Sequence, residues 1–433
     1  MSISKKNILF IVKSKVETDT YLPIISFLVK NKNNKVSTLI LDIHIDSISS
    51  PFNDTILSKT NIFTIYNLVK STIFIDLLYY LYCFLLNIKK IFNTSTKVNS
   101  LMLSLKRKIT SLIRIQDNAS ISFDSHSIIS SPAIYRSILF SNYQAYSSIK
   151  NSIYNDTNFK ICMHETFNQF NEYELYSGND EEVNRVCDLF ISHGESSQGL
   201  GVSSLIPKEK IINIGSPRFS KFWCKKIDDF YINEQFIDND GYINILYLPM
   251  KTSLGRPESS VEDLKVHNNI VINLLERYDD IKVFIKTHPK ADVSNYRNFF
   301  QKTNIDNNNR IYFLPNKFDS SSFVNSIDMM LTPGTALVPH FLWSDKPSVL
   351  LGECYAKQGY TFIYKDLCFS EIDINRVIVM IRSQNTLKDK KIFNKLNKLF
   401  ECGVSSELYE QFLEDKIKLI MDASKTNNIN TLT

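Results

Sequence analysis

Histidine and threonine side chains follow two predicted strands in the segment 281–353, at the points where the strands end. The apolar run 282–287 predicts a strand that ends at His288-Pro289, because the residue before a proline is driven out of the helical conformation. The run 329–331 predicts a second strand, followed by Thr332, Gly334 and Thr335 at the start of a predicted helix. Ligands bind beyond the carboxyl ends of parallel strands, and helix starts offer free N–H groups to anions. The pattern therefore predicts a phosphate site.

Each motif taken alone also has a purely structural interpretation. His288 could be a solvated residue at a strand end, and Thr332 and Thr335 could simply cap a helix. Their order across a strand-helix-strand rhythm favours the phosphate site over this alternative.

The same residues carry a resemblance to a known group of enzymes. The region resembles the nucleotide-binding half of GT-B glycosyltransferases, in particular the branch of bacterial CDP-glycerol glycerophosphotransferases, capsule polysaccharide transferases, and sialyl- and polysialyltransferases. In that branch a His-Pro motif and a Ser/Thr-rich motif contact the phosphate and ribose of a cytidine-activated donor. The matching residues are His288, Pro289, Thr332, Gly334 and Thr335. The resemblance implies an α/β fold of GT-B type, with two Rossmann-like domains facing each other across a cleft.

Three shorter stretches extend the resemblance to residues 160–353. FLWSDKPSVLL resembles a helix end that leads into a buried strand, YLPMKT resembles the turn that opens the nucleotide-binding half, and IINIGSPRF resembles the Gly-x-Pro-Arg hinge of surface-carbohydrate transferases. Arg218 of that hinge could serve the cleft or simply tie the linker down.

His164 and Glu165 follow the predicted strand 159–163 and are the predicted catalytic pair. In the resembled family a matching histidine faces the cleft and is proposed as general base, which suits an imidazole with a pKa near 6.5. The family shows Trp-His-Gly-Thr where this chain has Met-His-Glu-Thr, so either His164 or Glu165 could remove the proton. His193, after the next strand, is a weaker cleft candidate.

Cations and a carboxylate complete the predicted donor site. Lys251 and Arg256 lie in the loop after the strand 243–248 and could neutralise a second phosphate, or could belong to a solvated basic loop. Glu353 resembles the acidic residue with which many GT-B enzymes bind ribose or sugar hydroxyls. Asp238 and Asp240 fit a turn better than a metal motif, so we expect metal-independent chemistry with no cofactor beyond the nucleotide-activated donor.

The composition indicates a globular chain of two domains. Of 433 residues, 43% are hydrophobic and 22% charged, and the net charge of +5 does not indicate a nucleic-acid partner. Seven scattered cysteines predict reduced thiols in a cytosolic protein, and the first residues lead directly into a strand without a signal peptide.

The chain divides into four predicted parts. Residues 1–220 form the acceptor domain, 221–242 a linker, 243–400 the nucleotide-donor domain, and 401–433 a helix and tail that return to the first domain.

The segment 67–116 differs in character from the rest. Its apolar run 73–86 is too short to span a membrane, and residues 77–116 contain seven basic and no acidic residues. The part 73–114 therefore suits an anionic membrane surface, although two core helices with one solvated basic face would give the same pattern.

The sequence thus predicts a transferase on the cytoplasmic face of the membrane. It would move a sugar or polyol phosphate from a nucleotide donor, such as a cytidine-linked sugar or CDP-polyol, to a glycan or lipid-linked acceptor in bacterial surface polysaccharide synthesis. Two alternatives stay open. One is a nucleotide-sugar epimerase of the same plan, which needs more carboxylates in the cleft and no lipid-facing helices, so the basic run 89–114 argues against it. The other is a non-catalytic scaffold in a glycan assembly complex.

Overall fold

The computed structural model describes most of the chain. The described residues are 6–68, 72–92, 96–115, 127–139, 149–150, 158–163, 187–193, 206–233, 237, 240–249, 261–287, 293–301, 310–315, 319–352, 364, 366–384 and 390–426.

The first half of the chain forms a seven-stranded sheet in the order β3-β2-β1-β4-β5-β6-β7, and its described strand pairs are all parallel. Its strands are β1 Lys6–Val12, β2 Asn34–Ile40, β3 Asn61–Thr64, β4 Ser127–Ser130, β5 Phe159–Met163, β6 Leu189–Ser192 and β7 Ile211–Asn213. Its described helices are α1 Lys15–Leu28, α2 Pro51–Leu57, α3 Ile73–Phe92, α4 Thr96–Ile115, α5 Pro132–Leu139 and α6 Lys221–Tyr231.

The second half forms a six-stranded sheet in the order β10-β9-β8-β11-β12-β13, with parallel pairing throughout its described strands. Its strands are β8 Ile243–Tyr247, β9 Ile281–Ile285, β10 Ile311–Phe313, β11 Met329–Thr332, β12 Ser348–Leu350 and β13 Phe369–Ser370. Its described helices are α7 Val261–Arg277, α8 Val293–Gln301, α9 Val338–Trp343, α10 Ile374–Arg382 and α11 Lys390–Phe400. The last helix, α12 Ser406–Thr426, packs in the core of the first domain through Leu413 and Ile417. The prediction of two Rossmann-like α/β domains is confirmed.

Each sheet is covered on both faces, which explains why its strands read as continuous apolar runs. In β1, Leu9 and Ile11 enter one hydrophobic core while Phe10 and Val12 enter another on the opposite face. Successive side chains of a strand point to opposite faces of the sheet and so enter two cores. A strand buried on both sides therefore has apolar residues at nearly every position.

One predicted segment differs from the structure. The stretch 221–242, predicted as a linker, contains α6, whose residues Trp223, Cys224 and Tyr231 are buried. The helix predicted from 133 to 153 is helical at Pro132–Leu139 and at residues 149–150, and the rest of this prediction lies outside the described residues. Within the described ranges no helix combines the length and apolar character needed to cross a membrane.

The last part of the chain crosses back over the segment that follows β7. The backbone N–H of Ser216 donates to the carbonyl of Phe400 at 2.7 Å, and the hydroxyl of Tyr409 on α12 donates to the carbonyl of Ile214 at 2.6 Å. Gly215 lies between these bonds with φ of 73°, a conformation that favours glycine. The crossing ties the end of the second domain to the end of the first sheet.

A substitution at this crossing tests its importance. We expect Gly215→Ala to unfold at a clearly lower temperature, because the new methyl group would collide with the backbone carbonyl of Phe400 in addition to straining φ. Gly241→Ala is the matched control, since Gly241 has φ of 85° and open space around it. The control should lose about 1–2 kcal/mol from the φ strain. Equal melting temperatures of the two variants would contradict the close approach.

Candidate functional site

The carboxyl ends of both sheets border one cavity of about 190 Å³. Asp19 on α1 follows β1, and Arg218 follows β7 of the first sheet; Asp319 follows β10, and Thr335 follows β11 of the second. Ligand pockets commonly measure about 300–1,000 Å³, so this part of the cleft has room for a portion of a nucleotide sugar.

Thr332, Gly334 and Thr335 lie at the point where the strand order of the second sheet reverses, between β8 and β11. Parallel sheets bind ligands at such points. The hydroxyl of Thr332 accepts from the N–H of Gly334 at 3.1 Å, and that of Thr335 from the N–H of Leu337 at 3.4 Å. These bonds extend the turn, so the helix begins at Val338 and not at Thr332–Thr335 as the sequence predicts. Thr335 itself lines the cavity.

The loop between β1 and α1 is fixed by the buried carboxylate of Glu17. Its Oε2 accepts from the backbone N–H groups of Lys13 at 2.6 Å and Ser14 at 2.8 Å, and its Oε1 accepts from the hydroxyl of Ser131 beyond β4 at 3.4 Å. These bonds hold Lys15, at the first turn of α1, over the point where the order of the first sheet reverses.

Lys15 bridges the two domains. Its ammonium lies 2.6 Å from a carboxylate oxygen of Asp319. Burial opposes the charge of Asp319, but Lys15 and hydrogen bonds from Ser321 outweigh it and lower the pKa of Asp319 to about 2. Burial likewise acts to lower the pKa of Lys15, but Asp319 and Asp19 outweigh it and raise that pKa. Both groups are therefore charged at neutral pH.

A second pair joins the hinge to the first helix. The guanidinium of Arg218 donates to Asp19 at 3.2 Å, and the side-chain amide of Asn53 donates to the same carboxylate at 2.9 Å. Burial raises the pKa of Asp19, with Arg218 and Lys15 acting in the opposite direction. Arg218 thus lines the cavity and also ties the segment after β7 to α1.

Lys286 is a cleft residue that our sequence analysis missed. It follows β9 directly and is only 6% exposed. Its charge interacts with those of Asp319 and Lys15. Burial lowers its pKa, with Asp319 acting in the opposite direction. A lysine at the end of an apolar strand, two residues before His-Pro, was the signal in the sequence.

The charges at this edge are close to balanced. The cations are Lys15, Lys286 and Arg218, and the carboxylates are Glu17, Asp19 and Asp319. Two of the cations form the pairs Lys15–Asp319 and Arg218–Asp19, and Lys286 is the third, which could meet an anion such as a phosphate.

His340 is a second residue that the sequence did not single out. Its Nε2 lies 2.7 Å from Asp228 on α6, whose other oxygen accepts from the hydroxyl of Ser344 at 3.2 Å. His340 lines the cavity and joins α9 of the second domain to α6.

The remaining predicted residues are not brought together by the described part of the chain. His193 is buried at the end of β6 and is not among the described residues that line the cavity. Seven others lie outside the described residues, and their roles stay predictions: His164, Glu165, Lys251, Arg256, His288, Pro289 and Glu353. Within the described ranges no three His, Cys, Asp or Glu side chains converge as metal ligands.

Comparison with known structures identifies the fold. The chain is similar to the UDP-GlcNAc 2-epimerase of Neisseria meningitidis bound to UDP-GlcNAc, with 12% identity, a TM-score of 0.54, and coverage of 95% of this chain and 99% of that one. It is similar to the UDP-N-acetylglucosamine 2-epimerase of Rickettsia bellii, with 11% identity, a TM-score of 0.54 and 98% coverage of both chains. It is also similar to S. aureus MnaA in complex with UDP, with 12% identity, a TM-score of 0.53, and coverage of 98% and 97%.

These similarities confirm the GT-B-like fold of two facing Rossmann-like domains. No protein-family model matches the sequence, and no match was found among curated proteins. The structural neighbours are UDP-GlcNAc 2-epimerases, and they do not confirm the finer resemblance to CDP-glycerol transferases.

The Lys15–Asp319 bridge predicts a specific acid dependence of stability. The folded pKa of Asp319 of about 2 lies below its ordinary value of 3.8, so its contribution is present above pH 3.8 and is lost as the pH falls through 2. This difference corresponds to about 2 kcal/mol. We expect Asp319→Asn to be less stable than the wild type at pH 7 in urea denaturation, and the difference to shrink toward pH 2.

Asp422→Asn is the control for this experiment. Asp422 is 62% exposed and lies 3.5 Å from Lys6, so the pair should contribute about 0–1 kcal/mol. The prediction is contradicted if wild type and Asp319→Asn differ in stability by the same amount at pH 7 and at pH 2. That result would show that the bridge to Lys15 does not lower the pKa of Asp319.

Proposed function

We propose that the chain is an enzyme that binds a nucleotide-activated sugar in the cleft between its two sheets and epimerises that sugar. The observation that carries the proposal is the cavity at the facing carboxyl ends of both sheets, which Arg218, Asp19 and Asp319 line and beside which Lys15 and Lys286 lie close to Asp319. The similarity to structures of UDP-GlcNAc 2-epimerases over almost the whole chain supports the same assignment.

Epimerisation at a carbon that bears hydrogen needs groups that remove a proton and return one to the opposite face. Carboxylates serve this purpose when their pKa values are raised toward neutrality. Asp19 lines the cavity, and burial raises its pKa. Asp319 lies across the cleft from it, but its pKa of about 2 keeps it ionised and paired with Lys15. Among the described residues that line the cavity, Asp19 is therefore the carboxylate suited to proton transfer.

The negatively charged diphosphate of the nucleotide would bind the positively charged groups of the site. Lys286 at the end of β9 and the turn at Thr335 lie at the edge of the second sheet, where a diphosphate would meet a cation and hydroxyl groups. Lys15 would contribute a further cation from the first domain. These fixed groups would hold the negative charge of the bound diphosphate.

The second candidate is a transferase that uses a cytidine-linked sugar or polyol donor in bacterial surface polysaccharide synthesis. An apolar face exposed on α3 favours it, because an acceptor carried by a lipid would be met at such a face. In that reaction His288 would hold the departing phosphate, and His164 or Glu165 would take the proton of the acceptor.

Nucleotide binding is the first test. We expect UDP at about a hundred times its dissociation constant to stabilise the protein by about 2.7 kcal/mol, measured as a raised melting temperature. CMP, CDP, GDP and ADP serve as controls in the same panel. Stabilisation by cytidine nucleotides alone would contradict the expected binding of UDP and would favour the transferase. No stabilisation by any nucleotide would favour the non-catalytic scaffold.

The reaction itself is tested by incubation with UDP-N-acetylglucosamine in deuterated water. Removal and return of a proton at the inverted carbon exchanges it with solvent, so we expect deuterium and a second epimer in the recovered nucleotide sugar, detected by NMR. Recovery of unchanged substrate by a protein that binds UDP would contradict epimerisation of this sugar.

Lys286→Met tests the predicted diphosphate contact. We expect it to weaken UDP binding about tenfold or more in isothermal titration calorimetry, because a charge-assisted contact with phosphate is lost. Lys282→Met is the matched control, since Lys282 lies at the other end of the same strand beside Asp240. Equal losses in both variants, or none in Lys286→Met, would remove Lys286 from the site.

A further inference from the structure

The helical hairpin formed by α3 and α4 exposes a large apolar face. Ile73 is 90% exposed, Leu77 64% and Tyr80 69%. The exposed apolar side chains of the hairpin are Ile73, Phe74, Leu77, Tyr80, Leu81, Phe84, Leu101 and Leu103. Soluble surfaces rarely present so many adjacent apolar side chains without a partner that covers them.

The exposed residues of α3 form one stripe along the helix. Positions 73, 77, 80, 81 and 84 follow the three-and-four spacing that places side chains on one helix face. The opposite face is occupied, because Ile75, Tyr82 and Leu86 belong to the hydrophobic core of the first domain. On α4, Leu105 and Ile109 enter the same core. The hairpin is therefore anchored by one face and presents the other.

The charges beside this face are mostly basic. Asp76, which accepts a hydrogen bond from Tyr66, is the one acidic residue of α3 and α4, whereas Arg107 and Lys108 on α4 are exposed. The ammonium of Lys108 lies 5.6 Å from the ring centroid of Phe74, so cationic and apolar groups share one surface. Lys106 points elsewhere and bonds Asp42 at 2.6 Å.

The hairpin sits at the same sheet edge as the cleft. Asp42 lies just beyond β2, and Tyr79 of α3 stacks on Tyr66 just beyond β3 with ring centroids 3.9 Å apart. These contacts place α3 and α4 over the carboxyl ends of two strands whose neighbour, β1, leads into the cavity. A surface that covers the hairpin would therefore lie near the opening of the cleft.

We propose that this face of α3 and α4 docks on the surface of an anionic lipid bilayer. The apolar stripe enters the boundary of headgroups and acyl chains, with Tyr80 at the interface, while Arg107 and Lys108 contact anionic headgroups. The helices lie along the surface, because their other face is packed in the protein core. A second copy of the chain fits less well, since symmetric pairing would bring cations against cations with no carboxylate from 77–116 to balance them.

Flotation with vesicles tests the proposal on the full chain without nucleotide, so its outcome is independent of catalysis. We expect the protein to float with an equal mixture of phosphatidylcholine and phosphatidylglycerol, and not with phosphatidylcholine alone. The variant Leu77→Ser/Leu81→Ser/Phe84→Ser should stay unbound. Replacement of Arg107 and Lys108 by serine should weaken binding about fivefold per charge, with a similar loss at high salt.

Two controls test whether the effect is specific to this face and whether the variants fold. Ile372→Ser/Val379→Ser removes exposed apolar side chains from the second domain and should bind as the wild type does. Circular dichroism should show unchanged folding, since all substituted side chains are exposed. Wild-type protein that ignores anionic vesicles, or a triple variant that still binds them, would overturn the proposal. A wild-type dimer that the triple variant converts to a monomer, without vesicle binding, would assign the face to a second copy instead.

Discussion

The carbonyl of Phe400 and the N–H of Ser216 meet where the chain crosses back over the end of the first sheet, and the relation between the two domains depends on this crossing. Gly215 permits the close approach, and the buried carboxylate of Glu401 adds a bond from the N–H of Lys221 at 2.9 Å. The crossing joins α11 of the second domain to the strand and helix on either side of the hinge, and it leads into α12, which packs in the core of the first domain. With both ends of the second domain tied to the first, the two sheets keep their carboxyl edges toward one cavity.

Two ion pairs stabilise the charged side chains at that cavity. Isolated buried charges would be costly, and the pairs Lys15–Asp319 and Arg218–Asp19 reduce this cost. A diphosphate bound near Lys286 would compete with Asp319 for Lys15. Ligand binding and the contact between the domains would therefore both involve Lys15. The apolar face of α3 and α4 lies at this edge too, so the proposed docking on a bilayer would bring the cleft close to the membrane surface under either of the proposed functions.

The sheets were predictable from the sequence because their strands are short apolar runs closed by proline, glycine or hydroxyl residues. Thr332 and Thr335 were found in this way, since the end of β11 is marked by Pro333 and Gly334. Asp319 was missed because its importance depends on Lys15, which is 304 positions away in the chain. Lys286 and His340 were missed for a similar reason: burial and partners from distant elements distinguish them, and their local patterns are ordinary. The helix predicted to start within Thr332–Thr335 begins at Val338, because both threonine hydroxyls bond nearby backbone N–H groups and extend the turn.

A crystal structure of the protein with UDP tests the central claim most directly, because it locates the nucleotide without assuming a reaction. The account predicts the diphosphate between the carboxyl edges of the two sheets, with the ammonium of Lys286 and the turn at Thr335 within hydrogen-bonding distance of its oxygens. Nucleotide bound elsewhere on the protein, or an empty cleft at a UDP concentration that saturates binding in solution, would contradict it.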